Sequence, residues 1–180
     1  MTASLPTALV LASGRGERFL ASGGGIHKLK ALLDGKPVLD HVLDAVRASG
    51  LPWHLEDAGH PGMGDSIAAA VRATPDANGW LILPGDLPLV QSATLLKLAR
   101  ALEGHAVVVP VFNGQRGHPV GFSVPCREKL LSLQGNRGAT SVLIQYVATE
   151  VVVDDVGVVT DVDTVDDLRR AEAVIAGRSI

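Results

Sequence analysis

The sequence predicts an α/β fold, a sandwich of helices around a mostly parallel sheet. Three observations carry this expectation. Short apolar runs without alternation, such as Thr7 to Ala12 and Gly79 to Leu83, read as strands buried on both faces. Stretches with helical spacing separate them, the pattern of helices crossing over a sheet. Hydrophobic residues make up 47% of the 180, against 19% charged and 3% aromatic, so Leu, Val, Ile and Ala must build the core. The length is close to the roughly 150 residues of an ordinary domain, so one domain over residues 1–180 is expected.

Thr7 to Ala12 ends in Ser13-Gly14, a strand stop. Residues 13–28 read as a long glycine-rich, basic loop. Pro37 stands at a helix start, followed by Val38, Val42 and Val46 at spacings of four. The segment 50–61 carries little signal and holds at most a short strand. Gly62-Met63-Gly64 opens a helix over Asp65 to Thr74. The strand Gly79 to Leu83 is broken by Pro84-Gly85. Ser92 is the expected N-cap of a helix running to Leu102. Ala106 to Phe112 is a strand stopped by Asn113-Gly114, and Pro119 to Val124 can pair back on it. Helices near 125–133 and 138–145 precede a strand at Val151 to Asp154. The last helix spans Thr164 to Ala176, with Thr164 as N-cap and Asp166 and Asp167 in the first turn, where the dipole favours them.

Several function classes are excluded. The net charge is −3 and no Lys/Arg block occurs, so no nucleic-acid partner is expected. Cys126 is the lone cysteine, which rules out an internal disulfide and a multi-thiolate zinc site. Leu5 to Ala12 is too short to span a bilayer and lacks a basic flank; no membrane partner and a cytoplasmic location are expected.

Ligands of open α/β sheets sit outside the carboxyl ends of the strands. That rule singles out the loop after Ala12, the loop after Leu83 and the loop before the last helix, and five groups of residues in the chain can carry chemistry. In Leu11-Ala12-Ser13-Gly14-Arg15-Gly16-Glu17-Arg18, glycines allow close backbone approach to an anion and arginine forks suit phosphate oxygens; Lys28 adds a cation. The loop matches neither standard phosphate motif, because Phe19 replaces the third glycine of G-x-G-x-x-G and Gly35-Lys36 is followed by Pro37. A flexible loop with solvated arginines is the plain alternative. Asp86, between Pro84 and Pro88 past a strand end, can take a hard cation such as Mg²⁺. Asp161 and Asp163 can share that metal, or Asp163 can assist the helix cap. Gly62 to Ser66 opens a helix whose N-terminus can meet a phosphate, a ribose or a base. The same Ser66, with Asp86 and His118 following, has the chain order of a hydrolase triad, although residues 59–64 cannot form the strand that a nucleophile elbow needs. Arg116 and His118 can meet an anionic second substrate.

With these motifs in order, the chain resembles the MobA-like nucleotidyltransferases, and within them the molybdenum cofactor cytidylyltransferase branch. The resemblance rests on L-A-x-G-x-G-x-R at Leu11 to Arg18, Lys28, G-M-x-x-S at Gly62 to Ser66, P-x-D-x-P at Pro84 to Pro88, G-H-P at Gly117 to Pro119 and D-x-D-T at Asp161 to Thr164. It implies a three-layer α/β/α sandwich like the nucleotide-diphospho-sugar transferases, with a mixed sheet. It implies an NTP, CTP by preference, bound by Leu11, Ala12, Ser13, Gly14, Arg15, Gly16, Arg18, Lys28 and Ser66. Arg18, Lys28 and Asp86 would be the catalytic residues. Asp86 would hold Mg²⁺, with Asp161 or Asp163 as a second ligand. Arg116 and His118 would face a phosphorylated acceptor such as molybdopterin, which would take CMP with release of pyrophosphate. Transient contact with molybdoenzymes or their chaperones would follow. GTP, or a sugar or polyol phosphate acceptor, stays open. So do a serine hydrolase using Ser66 and a nucleotide-binding protein without turnover. Nine residues, three of them glycine, separate Arg18 from Lys28, more than is usual in the family, which makes Lys30 a rival to Lys28. The residue list agrees with the chemistry: a phosphate acceptor is already ionised, so cations and metal carboxylates suffice and no general base is needed.

Overall fold

The computed structural model describes residues 5–178, so the expected domain span of 1–180 extends past them at both ends. The chain runs β1 (Thr7–Leu11), α1 (Glu17–Ala21), the short pair β2 (Leu32–Leu33) and β3 (Lys36–Pro37), α2 (Val38–Ser49), β4 (Trp53–Glu56), α3 (Met63–Ala73), β5 (Trp80–Pro84) and α4 (Ser92–Ala101). It continues with β6 (Val107–Phe112), β7 (Gln115–Arg116), β8 (Val120–Phe122), α5 (Arg127–Leu131), α6 (Thr140–Leu143), β9 (Thr149–Val152) and α7 (Val165–Arg178).

The main sheet has seven strands in the order β4-β1-β5-β8-β6-β7, with β9 on the other side of β6. β1 lies parallel to β4 and β5, and β9 parallel to β6; β8 is antiparallel to β5 and β6. Side chains alternate between the faces of a strand. Ala8, Val10, Leu81 and Leu83 therefore pack with Val42 and Val46 of α2 and Leu95 and Leu98 of α4. Leu9, Trp80, Ile82 and Phe122 face the other way, onto Ile67 and Val71 of α3, Leu130 of α5 and Val142 of α6. Both faces are covered, and this makes the expected three-layer sandwich with a mostly parallel mixed sheet. A third cluster joins Phe19, Leu29, Leu33 and Val38 to Val162 and Ala171, tying α1 and α7 to the strand ends.

Several expectations need correction. Residues 13–28 are not all loop: α1 lies within them, anchored by Phe19, which is 3% exposed. Segment 50–61, expected to hold a short strand or none, holds the short strand β4, an edge that among the described strands pairs with β1 alone. The last strand begins two residues earlier than expected, at Thr149. The helices expected at 125–133 and 138–145 shrink to α5 and α6. Ser92 does not cap α4. Its role falls to Asp155, whose buried carboxylate accepts from the Gln91 N–H (2.9 Å) and the Thr94 hydroxyl (2.7 Å). Thr164 caps α7 as expected: its Oγ1 accepts from the Asp167 N–H (3.2 Å), while the Asp167 carboxylate accepts from the Thr164 N–H (2.8 Å), a reciprocal box. Among the described residues, no helix is long and apolar enough to cross a membrane.

Candidate active site

The strands β4, β1, β5 and β8 open onto a cleft of about 780 Å³. It is lined by Ser13 to Phe19, Lys28, His60 to Met63, Ser66, Pro84 to Leu87, Gln115 to His118, Asn136, Asp161 and Asp163, among others. Motifs from Ser13 to Asp163 thus converge: most lie in loops next to strand ends, while Ser66 lies on α3 and Asp161 and Asp163 precede α7.

The first loop leaves β1 held on both sides: the Gly85 N–H donates to the Leu11 carbonyl (2.8 Å) and the Ala12 N–H to the Glu56 carbonyl (2.9 Å). Gly16 then turns into α1 with φ +66, a left-handed conformation that suits glycine, and a Cβ there would lie 3.3 Å from the His27 ring. His27 ties the two halves of the long insert. Its Nε2 lies 2.6 Å from the Gly14 carbonyl, which it can meet only as a donor, while its Nδ1 accepts from the Leu29 N–H at 3.3 Å. Lys28 is thereby fixed relative to the first loop despite the extra residues.

Lys28 Nζ lies 2.7 Å from Asp86 Oδ2 and 2.7 Å from Asp163 Oδ1. Arg18 reaches the other oxygen of Asp163 at 2.9 Å. Burial works to lower the Lys28 pKa, but the Asp86 charge and the hydrogen bonds to Asp163 and Asp86 outweigh it and raise the value above that of an ordinary lysine. Lys30, two residues on along a 3-10 turn, falls on a different face, is exposed and does not line the cleft. The geometry favours Lys28 over its rival. It also separates Asp163 from Asp161. Asp163 shares a cation with Asp86; Asp161 lines the cleft without such a contact. Desolvation by the cleft wall raises the Asp161 carboxyl above its ordinary value, with the Asp86, Asp163 and Asp167 charges adding to the effect against one lowering backbone hydrogen bond. Val162, fully buried between them, donates its N–H to the Asp86 carbonyl at 2.8 Å and locks the two acidic segments together.

Arg15 is exposed and among the described residues pairs only with Glu17, at 3.8 Å. Arg18→Ala is therefore expected to weaken nucleotide binding about tenfold, and Arg15→Ala to change it little. Calorimetric titration of each variant decides this; equal losses would refute the distinction.

Ser66 is 2% exposed, on the first turns of α3, and its hydroxyl donates to the Gly62 carbonyl (3.2 Å). It makes no hydrogen bond to His118, and Asp86 is paired with Lys28 instead. No triad is assembled, and the hydrolase reading loses its geometry. The N-terminus of α3 is also less open than its sequence suggests. The Gly64 N–H already donates to the Gly135 carbonyl (2.8 Å), and the Asp65 carboxylate accepts from the Gly135 N–H (2.9 Å). A Cβ on Gly64 would lie 2.5 Å from the Arg137 carbonyl, so this close approach requires glycine. The contact brings Asn136 to the cleft, a residue without a sequence signal.

At the far end, His118 and Arg116 precede β8. The His118 N–H donates to the Val158 carbonyl (2.8 Å). His118 lines the cleft and is an exposed residue. Desolvation lowers its pKa, while the Asp86 and Asp161 charges oppose that. Arg116 is half exposed and pairs with Glu150 at 2.7 Å, so its charge is already partly matched.

Comparison with known proteins finds relatives of this fold. The structure superposes with a TM-score of 0.80 on a nucleotidyl transferase from Methanothermobacter thermautotroptrophicus, covering 98% of this chain and all of that one; at 18% identity the likeness is one of fold. Rv0371c from Mycobacterium tuberculosis H37Rv is 25% identical with a TM-score of 0.76, covering 93% of this chain and 98% of that one, and has also been solved as a manganese complex. The bifunctional protein GlmU of Xylella fastidiosa (strain 9a5c) is 30% identical over 143 residues, 66% of this chain; the match spans only 30% of that relative's length. The chain belongs to the MobA-like NTP transferase domain family, whose model matches residues 45–151, more than half of its length. Ser66, Asp86, Arg116 and His118 fall inside that match, whereas Arg18, Lys28, Asp161 and Asp163 lie outside it.

Proposed function

We propose that the protein is a Mg²⁺-dependent cytidylyltransferase that moves CMP from CTP to a phosphorylated small-molecule acceptor, with molybdopterin as the favoured one. The observation that carries the reading is the convergence of Asp86 and Asp163 on one cation, Lys28, with Arg18 beside them, midway along the cleft. The sheet order puts Ser13, His60 and Ser66 on the β4 side of that centre and Arg116 and His118 on the β8 side. A nucleoside therefore fits one end, an acceptor the other, and the triphosphate the middle.

Two carboxylates that already share a cation at 2.7 Å are a donor set that suits Mg²⁺, which is commonly held by one or two carboxylates plus substrate phosphates. When bound, Mg²⁺ would neutralise charge on the triphosphate oxygens. Arg18 and Lys28 supply cationic donors to the same oxygens. An acceptor phosphate oxygen attacks the α-phosphorus; that O–P bond forms, the bond to the β-phosphate oxygen breaks, and pyrophosphate leaves. The nucleophile is ionised beforehand, so no side chain has to take a proton. His118, its pKa lowered, needs only to orient the acceptor. The acceptor is favoured on the family resemblance of the motifs.

The test is thermal stability with each of the four NTPs, with and without Mg²⁺, followed by pyrophosphate release on adding molybdopterin. A Mg²⁺-dependent shift with CTP and release with molybdopterin are expected. No shift with any NTP would overturn the reading; release only with a sugar or polyol phosphate would overturn the acceptor.

Ser13 bears on the base. Its side chain occupies the space beside the β1 end, which disfavours a purine, and its hydroxyl donates to the Glu56 carbonyl (3.3 Å), leaving only acceptor lone pairs for a ligand. CTP is expected to outcompete GTP, and Ser13→Gly to narrow the gap. Tighter Mg²⁺-dependent binding of GTP by the wild type would sink the preference.

A further inference from the structure

Two carboxylates are buried among the described residues, Asp155 and Glu56. Asp155 is explained by the cap it gives α4. Glu56 takes no part in the phosphate and metal centre. It ends β4 at 7% exposure, and its carboxylate accepts from two imidazoles, His54 Nε2 at 3.1 Å and His60 Nε2 at 2.9 Å. Burial pushes the Glu56 pKa up, but the hydrogen bonds from His60 and His54 outweigh it and leave the value below that of an ordinary glutamate, so the group is ionised at neutral pH. The backbone carbonyl of the same residue accepts from Ala12 N–H and Ser13 Oγ. One buried residue therefore sets both the start of the first loop and the position of His60, at the nucleoside end of the cleft.

An ionised carboxylate only accepts hydrogen bonds, so the His60 proton must sit on Nε2, facing Glu56. In the neutral ring Nδ1 then carries a lone pair. That atom bonds no described residue, and His60 lines the cleft. We infer that His60 is a specificity-determining residue, its Nδ1 accepting a hydrogen bond from an exocyclic amine of the base and rejecting a carbonyl oxygen at the same place. The inference rests on the nucleotidyltransferase reading and names the substrate feature it selects. CTP and UTP are of equal size and differ where cytosine carries an amine and uracil a carbonyl. The amine can donate to Nδ1; the carbonyl sets two acceptors against each other and leaves both unpaired. Size exclusion at Ser13 plays no part in that choice. Glu56 is a positioning residue: it fixes the tautomer without touching the base.

The experiment measures binding of CTP, UTP and tripolyphosphate, each with Mg²⁺, to the wild type, His60→Ala and Glu56→Gln by calorimetry. The wild type should favour CTP over UTP by roughly tenfold. His60→Ala should bring that ratio near one, mostly by weakening CTP, with tripolyphosphate unchanged. Glu56→Gln, which frees the tautomer, should lower the ratio in the same direction. Loss of tripolyphosphate binding in parallel with CTP would mark His60 as merely structural and overturn the inference, as would an unchanged ratio. Ring ¹⁵N shifts of wild-type His60 give a check that needs no variant: the Nε2–H form is expected, and the Nδ1–H form would overturn it. If no NTP binds the wild type at all, the nucleotidyltransferase reading itself fails; if NTPs bind without these differences, only the role of His60 does.

Discussion

Asp86→Asn is expected to lower turnover by about 10³-fold or more while leaving the fold intact, the scale seen when a charge-stabilising group is removed from a reacting centre. The backbone around Asp86 is fixed independently of its side chain. The preceding residue, Gly85, donates its N–H to the Leu11 carbonyl, and a Cβ on it would lie 3.0 Å from that same oxygen. The Asp86 carbonyl accepts from Val162, and Leu87, the next residue, is 2% exposed. Asparagine keeps the shape and an acceptor oxygen but loses the charge that Lys28 now meets, and with it a ligand for a hard cation. Pyrophosphate release in Mg²⁺ and a thermal melt without nucleotide are the two measurements. Turnover near wild type would remove Asp86 from the centre; a collapsed melt would make its role structural.

The parts of this fold that were legible are those whose environment is uniform along the chain. β1 and β5 are covered on both faces, so their apolar runs stand out whatever lies around them. β4 was nearly invisible because it is an edge strand: among the described strands it pairs with β1 alone, and it carries His54 and Glu56, whose burial depends on partners elsewhere in the sequence. α1 was hidden for a related reason. It has five residues, and its glycine-rich flanks read as loop, while the packing of Phe19 against Leu29 and Val162 decides its existence. The cap of α4 shows the same limit, since Asp155 supplies from 64 residues away what Ser92 was expected to give locally.

The site divides along the same line. That Asp86, Arg18 and Lys28 line one cleft was foreshadowed by charge and glycine in loops beside apolar strands. Distance in space, which a sequence does not carry, was needed to separate Asp163 from Asp161 and Lys28 from Lys30. It was also needed to see that Ser66 bonds its own helix. Glu56 and Asn136 had no motif around them, and His60 and His27 sit beside motifs without belonging to one. Each acts through a tertiary contact: a carboxylate between two rings, a ring between two backbone groups, a loop packed against two glycines.

Lys28→Met should have the second large effect, and it separates two roles that the lysine combines. Methionine has a similar length and no charge. Without the ammonium, Asp86 and Asp163 face each other with only Arg18 on the outer oxygen of Asp163, and like charges at this range repel. The Lys28 pKa is raised in the folded protein, so its stabilising contribution is fully present below the ordinary lysine value and is lost only as pH rises through the higher folded one. At neutral pH the wild type holds all of that contribution and the variant none, so the variant should melt lower. Mg²⁺ alone should then raise its melting temperature more than that of the wild type, where the ammonium already sits between the two carboxylates. Turnover should fall by about 10²–10³-fold, because the proposed triphosphate site loses one of its two cationic donors and keeps Arg18. Thermal melts across a Mg²⁺ series, without nucleotide, read the first effect, and pyrophosphate release reads the second. If Mg²⁺ shifts both proteins equally, the lysine and the metal do not share a position, and Lys28 belongs to the phosphates alone.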